Sequence, residues 1–199
     1  DSFNRISKIS QLPLTYHLPA LFGFSNFLDN NLDNVRGIII FGSATSVNEN
    51  SSWQKALENL LLIAFENNIP TLGICYGHQL IAKAFGGAVR TLWEGEVKRG
   101  SRLVTVEKSI FSGERKSGSL LYSHQDGVTK VPPNFKIIAS SEMLSIEAIE
   151  STEKPIWGFQ AHLEATETFV NEHNLELEET NESFSFGHKL LDTFILSLK

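Results

Sequence analysis

The chain has 199 residues, 41% hydrophobic and 20% charged, which is the length and composition of one ordinary globular domain. Its net charge of −6 argues against the basic patches that non-specific binding to nucleic acid or acidic membrane surfaces requires. A single cysteine, Cys75, excludes an intramolecular disulfide and a thiolate-rich zinc site, and makes a reducing cytoplasm the expected compartment. The apolar run Leu60-Leu61-Leu62-Ile63-Ala64-Phe65 falls well short of the ~18 residues of a membrane span. The opening Asp1-Ser2-Phe3-Asn4-Arg5 lacks the pattern of a signal peptide. Because the chain starts with Asp rather than Met, further residues upstream are expected.

Residues 3–34 support no assignment. Residues 35–41 read as a strand, with Ile38-Ile39-Ile40 bracketed by Gly37 and Gly42, as suits a strand covered on both faces of a parallel sheet. Trp53, Ala56, Leu57, Leu60, Leu61, Ala64 and Phe65 then share one stripe at helical spacing. Ser51 or Ser52 caps that helix, and Asn67-Asn68 and Pro70 close it. A short strand over 71–74 leads at once into a helix over 77–85, ended by Gly86-Gly87. Strand, helix, strand, helix in this order predicts an α/β fold with a parallel sheet and right-handed crossovers. The middle is β-rich, with strands predicted at 88–91, 102–106, 119–123, 136–139, 145–149 and 156–160, and a turn at Val131-Pro132-Pro133-Asn134. A last helix over 186–198 buries Leu190, Leu191, Phe194, Ile195 and Leu198. No internal repeat or low-complexity linker interrupts the chain, so residues 1–199 are expected to form a single domain.

Gly73-Ile74-Cys75-Tyr76-Gly77 has the Gly-x-nucleophile-x-Gly spacing of a nucleophile elbow, with Cys in place of Ser. Glycines on both sides permit a sharp turn from strand into helix, which lifts the side chain clear of the backbone. The helix dipole and the free N–H groups of the first turn then favour a thiolate. The competing reading is a buried structural cysteine.

A cysteine nucleophile needs a base, and the chain offers His17, His78, His124, His162, His173 and His188. His162 lies in Gly158-Phe159-Gln160-Ala161-His162-Leu163-Glu164, just past a predicted strand. Residues two apart in an extended segment share a side, so Glu164 can reach the His162 ring and fix its tautomer. His124-Gln125-Asp126 has the same His-x-acid form and competes for the role. His78 lies three residues beyond Cys75 on the helix, too local to face the nucleophile. The two His-x-acid pairs could also bind a metal, but no third histidine motif such as His-Glu-x-x-His accompanies them, so neither metal nor cofactor is expected. Ser123-His124 makes a poor serine hydrolase, because adjacency gives bad geometry and Ser123 lacks elbow glycines.

The segment Gly73-Ile74-Cys75-Tyr76-Gly77-His78-Gln79-Leu80-Ile81-Ala82, with Gly86-Gly87 after it, resembles the nucleophile segment of class I (triad-type) glutamine amidotransferases. So does the strand Gly37-Ile38-Ile39-Ile40-Phe41-Gly42-Ser43. The blocks Tyr122-Ser123-His124-Gln125-Asp126-Gly127 and Gly158-Phe159-Gln160-Ala161-His162-Leu163-Glu164 resemble the family's next two. Order and spacing hold over residues 35–170. The resemblance implies a flavodoxin-like α/β architecture, with a mostly parallel central sheet flanked by helices. It also implies hydrolysis of glutamine to glutamate and ammonia through a γ-glutamyl thioester on Cys75. His162 would protonate the ammonia and then activate water, with Glu164 orienting it. The oxyanion hole would use the N–H of Tyr76 and a donor from the Gly42-Ser43 loop, at Ser43. Gly42, Gln79, His124, Gln125 and Asp126 would contact the substrate.

Three departures bear on the pocket. Gly42-Ser43 stands where the family has two glycines, so Ser43 is strained, or the loop differs, if that backbone needs a positive φ. Ala161-His162-Leu163-Glu164 replaces Phe-His-Pro-Glu, and Ser123-His124-Gln125-Asp126 replaces Ser-His-Gly-Asp. The family's first strand is expected upstream of residue 1 or close to it. The chain has no P-loop or other synthase motif, so ammonia would pass to a separate synthase partner if it is used at all. The Asn48–Trp53 spacing and the insertion over 93–100 resemble stand-alone members similar to the glutaminase domain of GMP synthase. Two other functions compete: a γ-glutamyl peptide or γ-glutamyl amine hydrolase with the same triad, and a non-catalytic regulatory or binding subunit that keeps the fold. The stretch 164–182 holds seven acidic residues and no Lys or Arg, and reads as a solvated loop or as a lid beside the site.

Overall fold

The computed structural model describes residues 1–23, 32–109, 111–175 and 180–198, the side chains of 180–183 excepted. It opens with helix α1 (Ser2–Ile9) and the single turn α2 (Pro19–Phe22). Strand β1 (Ile38–Ile40), helix α3 (Ser52–Glu66), strand β2 (Thr71–Ile74) and helix α4 (Tyr76–Ala84) follow in the expected alternation. Seven strands come next: β3 (Ala88–Thr91), β4 (Lys98–Val106), β5 (Lys116–His124), β6 (Asp126–Lys130), β7 (Phe135–Ser140), β8 (Ala148–Ser151) and β9 (Ile156–Phe159). Helices α5 (Glu167–Glu172) and α6 (Thr180–Ser197) complete the chain.

The central sheet runs β1-β2-β9-β8-β7-β4-β5, while β3 and β6 pair as a separate antiparallel ribbon. The expected parallel pairing is present at β1-β2 and β2-β9. The remaining four pairings of that sheet, from β9 outward, are antiparallel, so the sheet is mixed. The cause is connection length. A parallel pair needs a crossover of a dozen or more residues, and the links from β7 to β8 and from β8 to β9 are too short to supply one. All four residues of β2 are buried, because helices cover both of its faces. Leu57, Leu60 and Leu61 of α3 pack with Leu80 and Ile81 of α4 on one side. Ile6 of α1 and Leu190, Leu191, Phe194 and Ile195 of α6 pack on the other. Arg5 Nη2 donates to both carboxylate oxygens of Asp192, at 2.7 and 2.8 Å, and fixes α1 on α6.

Several boundaries differ from those the sequence predicts. The strand expected over 35–41 is reduced to Ile38–Ile40, and the last helix starts at Thr180 rather than 186. The strand expected over 145–149 forms instead at Ala148–Ser151, because Ser141 folds the preceding segment into a turn by accepting the N–H groups of Met143 and Leu144. Strand β6 has no signal in the sequence pattern, since Asp126 and Gly127 are poor strand formers. Residues 3–34 conceal most of α1, in which Phe3, Ile6 and Ile9 recur every third residue but over only two turns, too short a run to stand out as a helix. Of the acidic stretch 164–182, residues 176–179 lie outside the described residues. No helix among the described residues is long and apolar enough to cross a membrane.

Candidate active site

The chain turns from β2 into α4 at Cys75, which has φ 51° and ψ −100°. A non-glycine residue in that region costs roughly 1–3 kcal/mol and persists only where its surroundings impose it. Here the surroundings are backbone. The Cys75 N–H donates to Phe159 O at 2.8 Å, and Cys75 O accepts from the Gln79 N–H at 3.1 Å. The flanking glycines are needed for close approach: a Cβ at Gly73 would lie 2.4 Å from the Gly77 carbonyl, and one at Gly77 would lie 2.2 Å from Ile40 O. The elbow is therefore wedged against β1, with Cys75 at the N-terminus of α4.

Cys75 lines a cleft of about 850 Å³ together with Gly42, Ser43, Gln79, His124, Gln125, Asp126, His162 and Glu164. Tyr76 does not line it with its side chain, which packs on Trp53 with ring centroids 5.6 Å apart. Only the backbone of Tyr76 is left for the site. The Gly42 backbone lies close against the cleft wall, since a Cβ there would lie 2.8 Å from His162 Cε1 and 3.7 Å from Cys75 Cβ. This brings the loop after β1 beside both the thiol and the imidazole. Ser43 is not among the residues with positive φ, so the strain argued for it does not arise. Its hydroxyl instead accepts the Thr45 N–H at 3.2 Å in a local turn that needs no left-handed backbone.

The two His-x-acid pairs behave differently. His162 Nδ1 meets Glu164 Oε1 at 2.9 Å, with both side chains buried. Burial alone would lower the His162 pKa, but the Glu164 carboxylate and the Cys75 sulfur outweigh it and raise the value to about 10. His124 Nδ1 instead donates to the backbone carbonyl of Asp126 at 2.8 Å. The Asp126 carboxylate accepts Ser46 Oγ at 2.5 Å and Thr91 Oγ1 at 2.8 Å, so it ties β6 to the loop after β1 and to β3. Burial is the main cause that lowers His124 to about 4, and the nearby Arg102 guanidinium adds to it. His78 is fully buried against Gly158, away from the cleft, and burial together with His124 lowers it to about 3.

Gln79 donates to Asp126 O at 2.7 Å and to Gln160 Oε1 at 3.2 Å. Gln160, which the motif spacing alone does not single out, donates from Nε2 to Cys75 Sγ at 3.7 Å. The sequence places it two residues before His162, as Glu164 lies two after, but β9 ends at Phe159 and residues 160–164 form a bend and a turn rather than the extended segment expected, so the local turn and not strand alternation brings the three together. Arg99, Phe169 and His173 also line the cleft and are not anticipated by the sequence. Gln125 is exposed at the cleft rim, where its carbonyl accepts the Leu92 N–H at 2.8 Å. No grouping of three or more His, Cys, Asp or Glu side chains suited to a metal ion occurs among the described residues.

The profile of the family described as glutamine amidotransferase class-I matches residues 16–179. The chain belongs to the class-I glutamine amidotransferase family. One subunit of the glutamine-hydrolysing GMP synthase of Pyrococcus abyssi is 42% identical over 130 residues, which is 65% of this chain and 67% of that protein. The corresponding protein of Pyrococcus furiosus is 38% identical over 139 residues, 70% of each chain. The crystal structure of a glutamine amidotransferase from Methylobacillus flagellatus superposes with a TM-score of 0.68 at 20% identity, covering 82% of this chain and 77% of that one. At that identity the superposition speaks to the fold alone. Within this family the elbow, the cleft and the His162–Glu164 pair form the candidate active site.

Proposed function

We propose that this amidotransferase-family chain hydrolyses the side-chain amide of glutamine, with Cys75 as nucleophile, His162 as acid and base, and Glu164 as the group that orients His162. The observation that carries the reading is the shared cleft. A strained elbow cysteine and a histidine bonded through Nδ1 to a buried carboxylate line the same cavity. The Nδ1 bond leaves Nε2 as the nitrogen that serves the thiol. The Cys75 sulfur attacks the carboxamide carbon, and the resulting oxyanion is held by the Tyr76 N–H and by a donor from the Gly42-Ser43 loop. His162 gives a proton to the departing ammonia and leaves a γ-glutamyl thioester. It then takes a proton from water as water attacks that thioester, and glutamate departs. Gln79, His124, Gln125 and Asp126 shape the substrate pocket, the last two as much through their backbone as through their side chains.

Residues 1–199 act as one glutaminase domain in this reading, in a reducing cytoplasm. The relatives named as one subunit of a glutamine-hydrolysing GMP synthase support a partner that consumes the ammonia. A second reading, hydrolysis of a γ-glutamyl peptide or amine, draws on the cleft volume of about 850 Å³. That is near the upper end of the ~300–1,000 Å³ found for small-molecule sites, and generous for one amino acid. Ammonia or amine release from glutamine and from a panel of γ-glutamyl compounds, with wild type and Cys75→Ala, tests both readings. Glutamine turnover lost in Cys75→Ala, with one-to-one labelling of Cys75 by a glutamine-like diazo-ketone, is the expected result. Fast cleavage of γ-glutamyl peptides beside inert glutamine gives the second reading the lead. No turnover and no labelling leaves the non-catalytic role.

A further inference from the structure

We propose that Phe169 is a positioning residue of this site: its ring holds the His162 imidazole in its working orientation and stabilises it as the imidazolium. The inference rests on His162 being the base. Two of the contacts that fix His162 lie at the ring's edge, Glu164 at Nδ1 and the Gly42 backbone at Cε1. Neither prevents the imidazole from tilting about the Nδ1 bond. The face of the ring is covered by Phe169 from α5, with centroids 4.4 Å apart and planes at 38°.

Phe169 is itself well anchored. It packs on the satellite core of Leu121, Ala165 and Leu175, and it stacks on His173 at 4.2 Å and 27°. His173 caps α5 and its Nδ1 donates back to Phe169 O at 3.0 Å, while Thr168 Oγ1 donates to the Asp1 carboxylate and ties α5 to the start of the chain. An aromatic face carries negative charge density and attracts a cation placed over it, more so when the contact is dry. His162 is buried, so its protonated form gains from the contact.

The titratable groups that face His162 are Glu164 on its own segment, Cys75 at the elbow, His124 on β5 and His173 on α5. None of these charges is removed when Phe169 is replaced, and Leu or Met keeps an apolar cover over His162; any loss of cover would lessen burial and raise the midpoint, so a fall reports the aromatic face. The test compares wild type with Phe169→Leu, Phe169→Met and Phe169→Tyr. Two quantities are read: the pH titration of the His162 Cε1–H proton by NMR, and kcat against KM for the amide that wild type cleaves. In the Leu or Met variant, whichever is folded, the His162 midpoint falls by about one pH unit, the scale of a desolvated cation–π contact. In the same variant kcat falls about 10-fold while KM stays within about 2-fold, because the ring is held for the transition state rather than for binding. Phe169→Tyr retains an aromatic face and restores both. A His162 midpoint unmoved by Leu or Met, or the same loss in Tyr as in Leu, would overturn the proposal. If wild type cleaves no amide at all, the hydrolase reading fails by itself, and the NMR titration still decides whether Phe169 sets the state of His162.

Discussion

Replacing Gly77 by Ala tests whether the elbow is wedged as described. The added Cβ would lie 2.2 Å from Ile40 O and 3.0 Å from Ile40 C, both backbone atoms of β1. Ordinary van der Waals contact begins near 3.4 Å, so α4 and β1 must separate by about 1 Å, because no side chain can swing aside. Overpacking of this kind costs typically about 1–3 kcal/mol, and a backbone clash belongs at the upper end. Ala also gains up to about 1 kcal/mol over Gly in helix propensity, which opposes the clash without cancelling it. The net loss is then about 2 kcal/mol, or a fall in Tm of roughly 4–8 °C for a chain of this size. The functional effect is larger, since a displacement of about 1 Å at a reacting group can cost about 10²-fold in rate. Thermal denaturation followed by circular dichroism and the rate of Cys75 alkylation by iodoacetamide measure the two parts. A Gly77→Ala protein that melts within about 2 °C of wild type and alkylates at the same rate would refute the close approach of α4 to β1.

His162→Ala is expected to abolish turnover as fully as Cys75→Ala, since a nucleophile and its base act as a unit. His124→Ala should keep kcat within about 10-fold and act on KM or stability, because its ring is bonded to a backbone carbonyl rather than to a carboxylate; steady-state kinetics on both variants decides. Stability should depend on His162 with a definite sign. Its folded pKa of about 10 exceeds the ordinary 6.5, so its contribution is complete below about pH 6.5 and is lost as pH rises toward 10. Urea midpoints should therefore fall from pH 6.5 to 10 more steeply in wild type than in Glu164→Gln, which removes the partner charge. Ser43→Gly is expected to leave kcat and Tm within about 2-fold and about 2 °C, because Ser43 carries no strain to relieve; a large gain in kcat would show that the loop is held back by the serine.

The elbow is legible in the sequence because everything that makes it is local: two glycines, a cysteine, an apolar strand before it and an amphipathic helix after it. The pairing of His162 with Glu164, two residues apart, is legible for the same reason. What distinguishes the two His-x-acid pairs is not, because it depends on contacts distant in sequence. Asp126 is withdrawn from His124 by Ser46, 80 residues earlier, and by Thr91, 35 residues earlier. No spacing rule reports either hydroxyl. Phe169 falls in the acidic stretch 164–182, which reads in the sequence as a solvated loop or a lid, and only the packing of α5 against His162 makes it a neighbour of the imidazole. The mixed sheet is half legible: strand positions follow from composition, whereas their direction follows from which short connections close into hairpins.

The pairing of β2 with β9 also determines when the site comes into existence. Thr71 and Ile156 are partners although far apart in the chain, and the Cys75 N–H is held by Phe159 O at the end of the same pair. The β4–β5 hairpin is local and has no such loop to close. Loop-closure entropy places the long-range parallel pairing late in folding, after the hairpin has formed. Cys75 and His162, which lie just past β2 and β9, thus meet only when β9 is seated between β2 and β8. A refolding chain should regain most of its β-sheet signal before Cys75 changes from the alkylation rate of an unfolded-chain thiol to its native rate, a change that waits until that last strand is seated.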